Sequence, residues 1–479
     1  MSNPGTAQPR RTIVLFGVPF QDIDMAATLA WIEERIAERK PTYIVTANLD
    51  FAAQASRDVE LQRILVEAGL VVCDGTPLVW ASRLAGHPLP ERVAGADLVP
   101  RLAALAEKKG YRIFLLGGAP DVLERAAANL MAKHPDLPPV ACYSPPFAPL
   151  HELDNAAIVE RLEQVKPDIL LVAFGCPKQE KWILMHYRRL GIPCCIGVGA
   201  TVDFLAGEVS RAPGLIGKLG LEWVYRLLQE PRRLTGRYAH DIRFLLTQIA
   251  RERLTGRTSA GAIPPLNLPA HPPGIEVLRW SGLLGEDNRS ALPQPGLRMP
   301  FIIDLSGITQ VDSSGLGLLA DVIRRAWQSE VGACFLGASP ALLARLRAAK
   351  LDRLLPLEDT PERAVDRVRR EAAALRMVPP ATEEGRLLLF QMPPRLTAEN
   401  AADCFTAVRD GWESRDRMRV LVLDLEDTTF IDSSGLGVLL KLHGLVARRS
   451  GASMRLTHPH SNVVNVIRLA KVGEILLPA

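Results

Sequence analysis

Five short segments carry the side chains that could do chemistry, and each closes an apolar run. Thr46-Ala-Asn48 ends the run Tyr43–Ala47, and Asp74-Gly75 follows Leu70–Cys73. Gly117-Gly118-Ala-Pro-Asp121 follows Arg112–Leu116. Phe174-Gly-Cys-Pro-Lys-Gln-Glu-Lys-Trp182 follows Ile169–Ala173, and Gly199-Ala-Thr-Val-Asp203 follows Cys194–Val198. Hydroxyl, amide, carboxylate and ammonium groups collected with glycine turns build a pocket for a polar ligand. Taken singly, each piece has a plainer reading. Gly117-Gly118 before a helix either cradles a phosphate on free N–H groups or is an ordinary tight turn. Asp74 alone reads as a helix cap or turn residue.

The elements that must position these segments alternate. Apolar runs at Thr12–Phe16, Tyr43–Ala47, Leu70–Cys73, Arg112–Leu116, Pro138–Cys142, Ile169–Ala173 and Cys194–Val198 read as strands. Helical patterns lie between most of them, at Asp24–Arg39, Asp50–Glu67, Pro77–Leu84, Leu98–Lys109, Asp121–Lys133, Asn155–Gln164 and Gln179–Tyr187. This alternation predicts a mostly parallel, Rossmann-like sheet with helices on both faces, binding its ligand beyond the strands' carboxyl ends. The first run continues as Gly17-Val18-Pro19, without a Gly-x-Gly-x-x-Gly fingerprint, which argues against a nicotinamide-dependent enzyme.

The 479 residues predict several domains. The net charge of +4 is small and does not suggest nucleic acid, but its distribution is uneven. Between Arg211 and Arg257 ten cations face four acids, a local net of +6, which points to an anionic partner there. Leu221, Trp223, Val224, Leu227, Leu228, Phe244 and Leu245 interleave with those cations, so the segment reads as an amphipathic basic surface for an anionic membrane, or as a core-packed helix with solvated arginines. Seven scattered cysteines without a Cys-x-x-Cys pair argue against a zinc site or disulfide framework and fit a reducing cytoplasm. No signal peptide or bilayer-spanning run is expected.

Beyond a proline-rich stretch, Gly256–Gly274, the chain repeats itself. Ile302–Gly317 reads IIDLSGITQVDSSGLG and Val422–Gly437 reads VLDLEDTTFIDSSGLG. Each copy is followed by a helical pattern and a strand, so two similar domains in tandem are expected.

The ordered set Thr46-Ala-Asn48, Asp74-Gly75, Glu91-Arg-Val-Ala-Gly-Ala-Asp97, Phe174-Gly-Cys-Pro-Lys-Gln-Glu180, Arg211-Ala-Pro213, Glu222-Trp223, Arg226 and Glu230-Pro-Arg-Arg233 resembles the WecG/TagA/CpsF family of bacterial glycosyltransferases, glycosyltransferase family 26, over about residues 12–255. The resemblance implies inverting transfer of a sugar, typically of N-acetylmannosamine type, from a UDP-sugar to a polyprenyl-diphosphate-linked acceptor at the cytoplasmic face of the membrane. It implies no cofactor and no required metal. It makes Asp74 the general base, with Thr46 and Asn48 beside it and Gln179 as a further catalytic residue, and gives the diphosphate and membrane to Arg211, Arg226, Arg232, Arg233 and Arg237. Arg92, Gly117, Gly118, Lys178 and Glu180 complete the expected substrate-binding set. Cations and N–H groups suit a leaving diphosphate whose charge grows as the bond breaks. Lys181, Trp182 and Tyr187 are expected to stabilise the fold or frame the pocket.

The Asp-Ser-Ser-Gly-Leu-Gly loops resemble the STAS domain of anti-sigma-factor antagonists, a small mixed sheet with helices on one side. That resemblance makes Ser313 and Ser433 phosphorylation candidates for a partner kinase; serines at these positions also simply cap helices. The expected layout is a disordered start at 1–11, a transferase core at 12–210, a basic appendage at 211–257, a linker at 258–273, one STAS domain at 274–375, a linker at 376–384 and a second STAS domain at 385–479. Expected partners are a UDP-sugar, a lipid-linked glycan acceptor, an anionic membrane surface, a STAS-binding kinase or regulator, and further copies of the chain. The alternative is a non-catalytic scaffold in STAS signalling.

Overall fold

Fully buried apolar strands satisfy their backbone groups by pairing under helical cover on both faces, and the N-terminal region is built that way. The computed structural model describes residues 11–208, 231–255, 272–374 and 381–477. Six parallel strands form the main sheet: β3 (Tyr43–Ala47), β4 (Leu70–Cys73), β5 (Ile113–Leu116), β6 (Ala141–Tyr143), β7 (Ile169–Val172) and β8 (Cys194–Gly197), in the order β4-β3-β8-β7-β5-β6. One face packs on α2 (Leu49–Ala55), α3 (Val59–Glu67), α7 (Asn155–Val165) and α8 (Lys178–Leu190). The other packs on α1 (Met25–Ala37), α5 (Gly95–Lys109), α6 (Pro120–Lys133) and α9 (Thr201–Ala206). Two further helices belong to this region, α4 (Thr76–Leu84) and α10 (Pro231–Thr255).

Two expectations about this region are corrected. The run Thr12–Phe16 does not join the sheet. β1 (Thr12–Leu15) turns through Phe16 (φ 53°) and Gly17 (φ 85°) and pairs antiparallel with β2 (Val18–Gln21). Two successive positive φ values match the twist of a two-residue hairpin, but phenylalanine is an uninformative residue for the first of them. The helix expected over Asp50–Glu67 is two helices. Asn48 Oδ1 accepts from Phe51 N (3.2 Å) to start α2, and Asp58 Oδ1 accepts from Glu60 N (3.0 Å) and Leu61 N (3.1 Å) to start α3.

The repeats fold as two small α/β modules. The first contains β9 (Glu276–Leu284), β10 (Phe301–Val311), α11 (Ser313–Gln328), β11 (Ala333–Leu336), α12 (Pro340–Ala348), β12 (Leu357–Glu358) and α13 (Pro361–Ala374). Its four strands are all parallel, in the order β12-β11-β10-β9. Successive residues of β10 point to opposite faces: Ile303 packs with α11 and α12, and Ile302 with Ala364 and Val368 of α13. Helices therefore cover both faces of this sheet, where one-sided cover of a mixed sheet was expected.

The second module contains β13 (Ala381–Glu384), β14 (Leu387–Gln391), β15 (Arg395–Leu396), α14 (Ala401–Glu413), β16 (Val420–Asp424), β17 (Phe430–Ile431), α15 (Ser433–Ala447), β18 (Ser453–Thr457) and α16 (Ser461–Leu469). Its sheet, β13-β14-β16-β18, is mixed, because β13 alone runs antiparallel to its neighbour. Residues 381–384 were expected in a linker. The four residues Ala-Thr-Glu-Glu are exposed and pair through their backbone, which leaves no hydrophobic signal.

Both modules dock on the transferase-like region. The Thr12 hydroxyl donates to Asp321 Oδ1 (2.7 Å) on α11, and the Gln62 side chain donates to the Ala349 carbonyl (3.3 Å). Gly317 on α11 lies so close to the hairpin that a Cβ there would come within 1.9 Å of the Thr12 carbonyl oxygen, whereas a Cβ on its repeat equivalent, Gly437, would meet nothing within 4 Å. Gly317→Ala is expected to destabilise the protein by ~1–3 kcal/mol through overpacking. Gly437→Ala is expected to be neutral or to add up to ~1 kcal/mol of helix propensity. Chemical denaturation of both full-length variants checks the difference.

Candidate active site

Strand register brings two of the motif residues side by side. Ala47 of β3 pairs with Cys73 of β4, so Asn48 and Asp74 each lie one residue past a matched pair. The Asp74 N–H donates to the Ala47 carbonyl (2.9 Å), which holds the two strand ends together. The chain then folds back beneath β4, with Val93 N donating to the Cys73 carbonyl (2.8 Å), and this return delivers Arg92. Arg92 also pairs with Asp97 Oδ2 at 2.7 Å. A Cβ on Gly95, at the start of α5, would lie 3.3 Å from the Thr201 hydroxyl and 3.5 Å from the Thr46 hydroxyl. Thr46 is thus packed behind the cavity floor, between two helix starts.

Asn48, Asp74, Gly75 and Arg92 line a cavity of about 370 Å³. Its other walls are largely apolar. Trp80 and Leu84 of α4 face Ile242, Leu245 and Ile249 of α10, with Tyr238 and Asp241 completing that helix's contribution. Trp80 is 43% exposed and Leu84 68%, values unusual for large apolar residues. Helix α10 is held against the core through Phe244, Leu245 and Ile249, and through an edge contact between Phe244 and Phe16 (centroids 6.3 Å apart). The described apolar residues of the basic segment therefore divide, Phe244 and Leu245 packing on the core and Ile242 and Leu246 remaining exposed, while Leu221, Trp223, Val224, Leu227 and Leu228 lie outside the described residues.

Residues 13–259 match the Glycosyl transferase WecG/TagA/CpsF family. Proteins named N-acetylglucosaminyldiphosphoundecaprenol N-acetyl-beta-D-mannosaminyltransferase from Staphylococcus aureus strains MW2, NCTC 8325 / PS 47 and COL are each 31% identical over 225 residues, covering 46% of this chain and 85% of theirs. The chain belongs to the WecG/TagA/CpsF glycosyltransferase family. Residues 241–364 and 379–478 match the STAS domain, so both repeats are STAS domains, the first match beginning within α10.

Within this glycosyltransferase, the other motif residues occupy different places. Gln179 does not line the cavity. It is 3% exposed, and its Oε1 accepts from Gly175 N (3.0 Å) and Gly199 N (3.1 Å), tying the loop after β7 to the loop after β8. Its Nε2 donates to Glu180 Oε1 (2.7 Å). Glu180 is itself buried, and burial pushes its carboxyl up to about 7 against the opposing bond from Gln179. Both motif residues support the strand-end loops from within.

Lys178 Nζ donates to the Ala148 carbonyl (2.5 Å) and lies 5.1 Å from the Phe174 ring centre; burial lowers its pKa. Gly117 (φ 93°) and Gly118 (φ 83°) form the turn after β5, where a Cβ on Gly117 would lie 2.5 Å from Phe174 Cδ1. The Gly117 N–H donates to the Tyr143 carbonyl (2.9 Å), so this amide serves the fold. Trp182 is fully buried, with Nε1 donating to Asn155 Oδ1 (2.8 Å). Arg211 and Arg226 lie outside the described residues. Arg232, Arg233 and Arg237 fall on α10, with side chains outside the description.

Trp80, Leu84, Tyr238, Asp241 and Ile242 were not singled out from sequence. The available signal was the i, i+4 pair Trp80/Leu84 directly after Asp74-Gly75. Distinguishing it from a core stripe required knowing which face of α4 is covered.

Glu180 carries a pH signature. Its carboxyl ionises near 4.5 when unfolded and near 7 when folded, so the native state holds the extra proton between those values and stability falls as pH rises across that window. Glu180→Gln is expected to remove this part of the decline, and urea titrations of both proteins at pH 5 and pH 8 measure it.

Proposed function

We propose that this chain is an inverting, metal-independent transferase that moves a sugar of N-acetylmannosamine type or a related kind from a UDP-sugar to a polyprenyl-diphosphate-linked acceptor. The pathway would be bacterial polysaccharide or cell-envelope biosynthesis, at the cytoplasmic face of the membrane, with the STAS domains regulating or localising the enzyme. The observation carrying this reading is the cavity's split character. A polar floor of Asn48, Asp74 and Arg92 adjoins an apolar rim of Trp80, Leu84, Ile242 and Leu245. A lipid-linked sugar has the same two halves. The S. aureus relatives' names specify an undecaprenol-diphosphate acceptor.

In this mechanism the Asp74 carboxylate takes the proton of the acceptor hydroxyl as that oxygen attacks the anomeric carbon. The bond to the UDP oxygen breaks on the opposite side, which inverts the centre. A positioned base contributes about 10²–10⁴-fold. Arg92 offers a planar cation to the diphosphate, supported by the basic segment. The apolar rim takes the first isoprene units of the acceptor. Among the described residues no helix is long and apolar enough to cross a membrane; in this reading the enzyme meets its lipid substrate at the membrane surface.

Asp74→Asn is expected to lower kcat by about 10²–10⁴-fold with little change in donor KM. UDP release from a panel of UDP-sugars, with a polyprenyl-diphosphate-linked N-acetylglucosamine acceptor, measures it. Absence of wild-type transfer with every donor would favour the scaffold reading. Trp80→Ala combined with Leu84→Ser is expected to raise KM about tenfold for a long-chain acceptor but not for a short-chain soluble analogue, since about 1.4 kcal/mol of apolar contact is removed only from the former.

A further inference from the structure

Successive strand residues point to opposite faces, and in β1 the two faces serve different domains. Ile13 and Leu15 pack in the transferase core, whereas Val14 packs in the core of the first STAS domain. The polar side chains of the hairpin make the same connection. The Thr12 hydroxyl donates to Asp321 Oδ1 (2.7 Å) on α11, a carboxylate also paired with Arg324 (2.7 Å) and Arg289 (3.2 Å). Gln21 Nε2 donates to the Thr12 hydroxyl oxygen (3.1 Å). Gln21 Oε1 accepts from the Val71 N–H (2.5 Å) on β4, the edge strand of the main sheet. Thr12 and Gln21 are both buried.

The turn of the hairpin is confined as tightly as its strands. A Cβ on Gly17 would lie 2.9 Å from the carbonyl oxygen of Ala349, which follows α12 of the first STAS domain. The other turn residue, Phe16, is buried in the transferase core and meets the Phe244 ring of α10 edge-on, with centroids 6.3 Å apart and planes at 82°. Phe244 stands between Ile242 and Leu245, and both of those line the candidate cavity. One short hairpin therefore touches the first STAS domain, the strand that leads to Asp74 and the helix that forms the apolar wall.

We propose that Phe16 is a positioning residue for the acceptor: the hairpin, seated on the first STAS domain, is a strut that fixes where α10 stands across the cavity from Trp80 and Leu84. The role in acceptor binding rests on the proposed transfer to a lipid-linked sugar. Through the strut, the seat of the first STAS domain sets acceptor affinity while leaving proton transfer at Asp74 unchanged.

The two transferase elements that the hairpin touches are held differently. Strand β4 is fixed by its backbone ladder with β3, continued by the bond from the Asp74 N–H to the Ala47 carbonyl (2.9 Å). An α-helix spends its backbone hydrogen bonds within itself. Helix α10 is seated on the core through side chains such as Phe244, Leu245 and Ile249, with His240 meeting Arg57 at 2.9 Å. A displaced hairpin therefore moves α10 before it moves β4. Packing in the interior is close, so even a small shift of Phe16 is transmitted to the ring it touches. The cavity then changes width at its apolar wall, and the carboxylate at the strand end keeps its place.

Amide hydrogen exchange and steady-state kinetics of the full chain test the strut together. Phe16→Ala is expected to speed exchange across 238–250 by about tenfold while leaving 169–172, in the middle of the sheet, unchanged. Phe244→Ala, which removes the other ring from a half-buried helix position, is expected to match it. For a long-chain polyprenyl-diphosphate-linked N-acetylglucosamine, both variants are expected to raise acceptor KM by about three- to tenfold, with kcat and donor KM near wild type. Gly317→Ala, which presses on Thr12 from the STAS side, is expected to speed exchange across 238–250 in the wild-type background. It is expected to add nothing there once Phe16 is alanine, because the two changes act through one contact. Unchanged exchange across 238–250 in both ring variants would overturn the proposal. So would full additivity of Gly317→Ala with Phe16→Ala, which would mark general destabilisation, or a fall in kcat as large as the rise in acceptor KM. Exchange needs no turnover, so it decides the strut separately from the sugar-transfer reading.

Discussion

The burial of helix α3 on every side is the constraint on which the arrangement of the three domains depends. Two glutamates and an arginine lie on a nine-residue helix with no residue more than 2% exposed. Removing a charge from water costs several kcal/mol even after relaxation, and partners with good geometry must offset it. Arg63 and Glu67 pair within the helix (3.2 Å), and further partners come from Lys181 and Arg188 of the transferase, Trp327 of the first STAS domain, and Ser433 and Phe430 of the second. Charged contacts and the apolar contacts of Val59 and Val66 therefore both contribute to how the domains sit.

A second consequence runs toward the cavity. Helix α3 follows α2 after a three-residue turn, and α2 begins at Asn48 on the cavity floor. Helix α10 packs over α2 and supplies the opposite wall. The site therefore combines strand ends from a rigid parallel sheet with an apolar helix added from outside it. This division places Asp74 at a strand end of the sheet and the apolar rim on separate helices.

Motif residues in this protein act at two depths. Asp74, Asn48 and Arg92 reach the cavity, whereas Gln179 and Glu180 tie together the loops after β7 and β8 from beneath. A motif can persist in the chain for either reason, and residue type alone does not separate them. The two six-residue STAS loops illustrate the same point. They are identical in sequence, yet Gly317 abuts the N-terminal hairpin while Gly437 faces open space, and the first serine of one loop, Ser433, meets an acid while the second serine of the other, Ser314, meets a histidine.

The sequence by itself determined the alternation that yields a parallel sheet, the strand-end location of Asp74 and Asn48, the family, and the repeat of two STAS domains, because each of these is written in local periodicity or in short motifs. It did not determine the hairpin at Thr12–Gln21, the exposed strand at 381–384, the apolar rim formed by Trp80 with α10, or the inward position of Gln179. Least legible was the pairing of Glu60 with Ser433, 373 positions apart. Helix α3 reads locally as an amphipathic element with a solvated polar side. Only the tertiary structure decides that this side is buried, because the free energy of a charged side chain depends on what covers it, and the covering residues come from another domain.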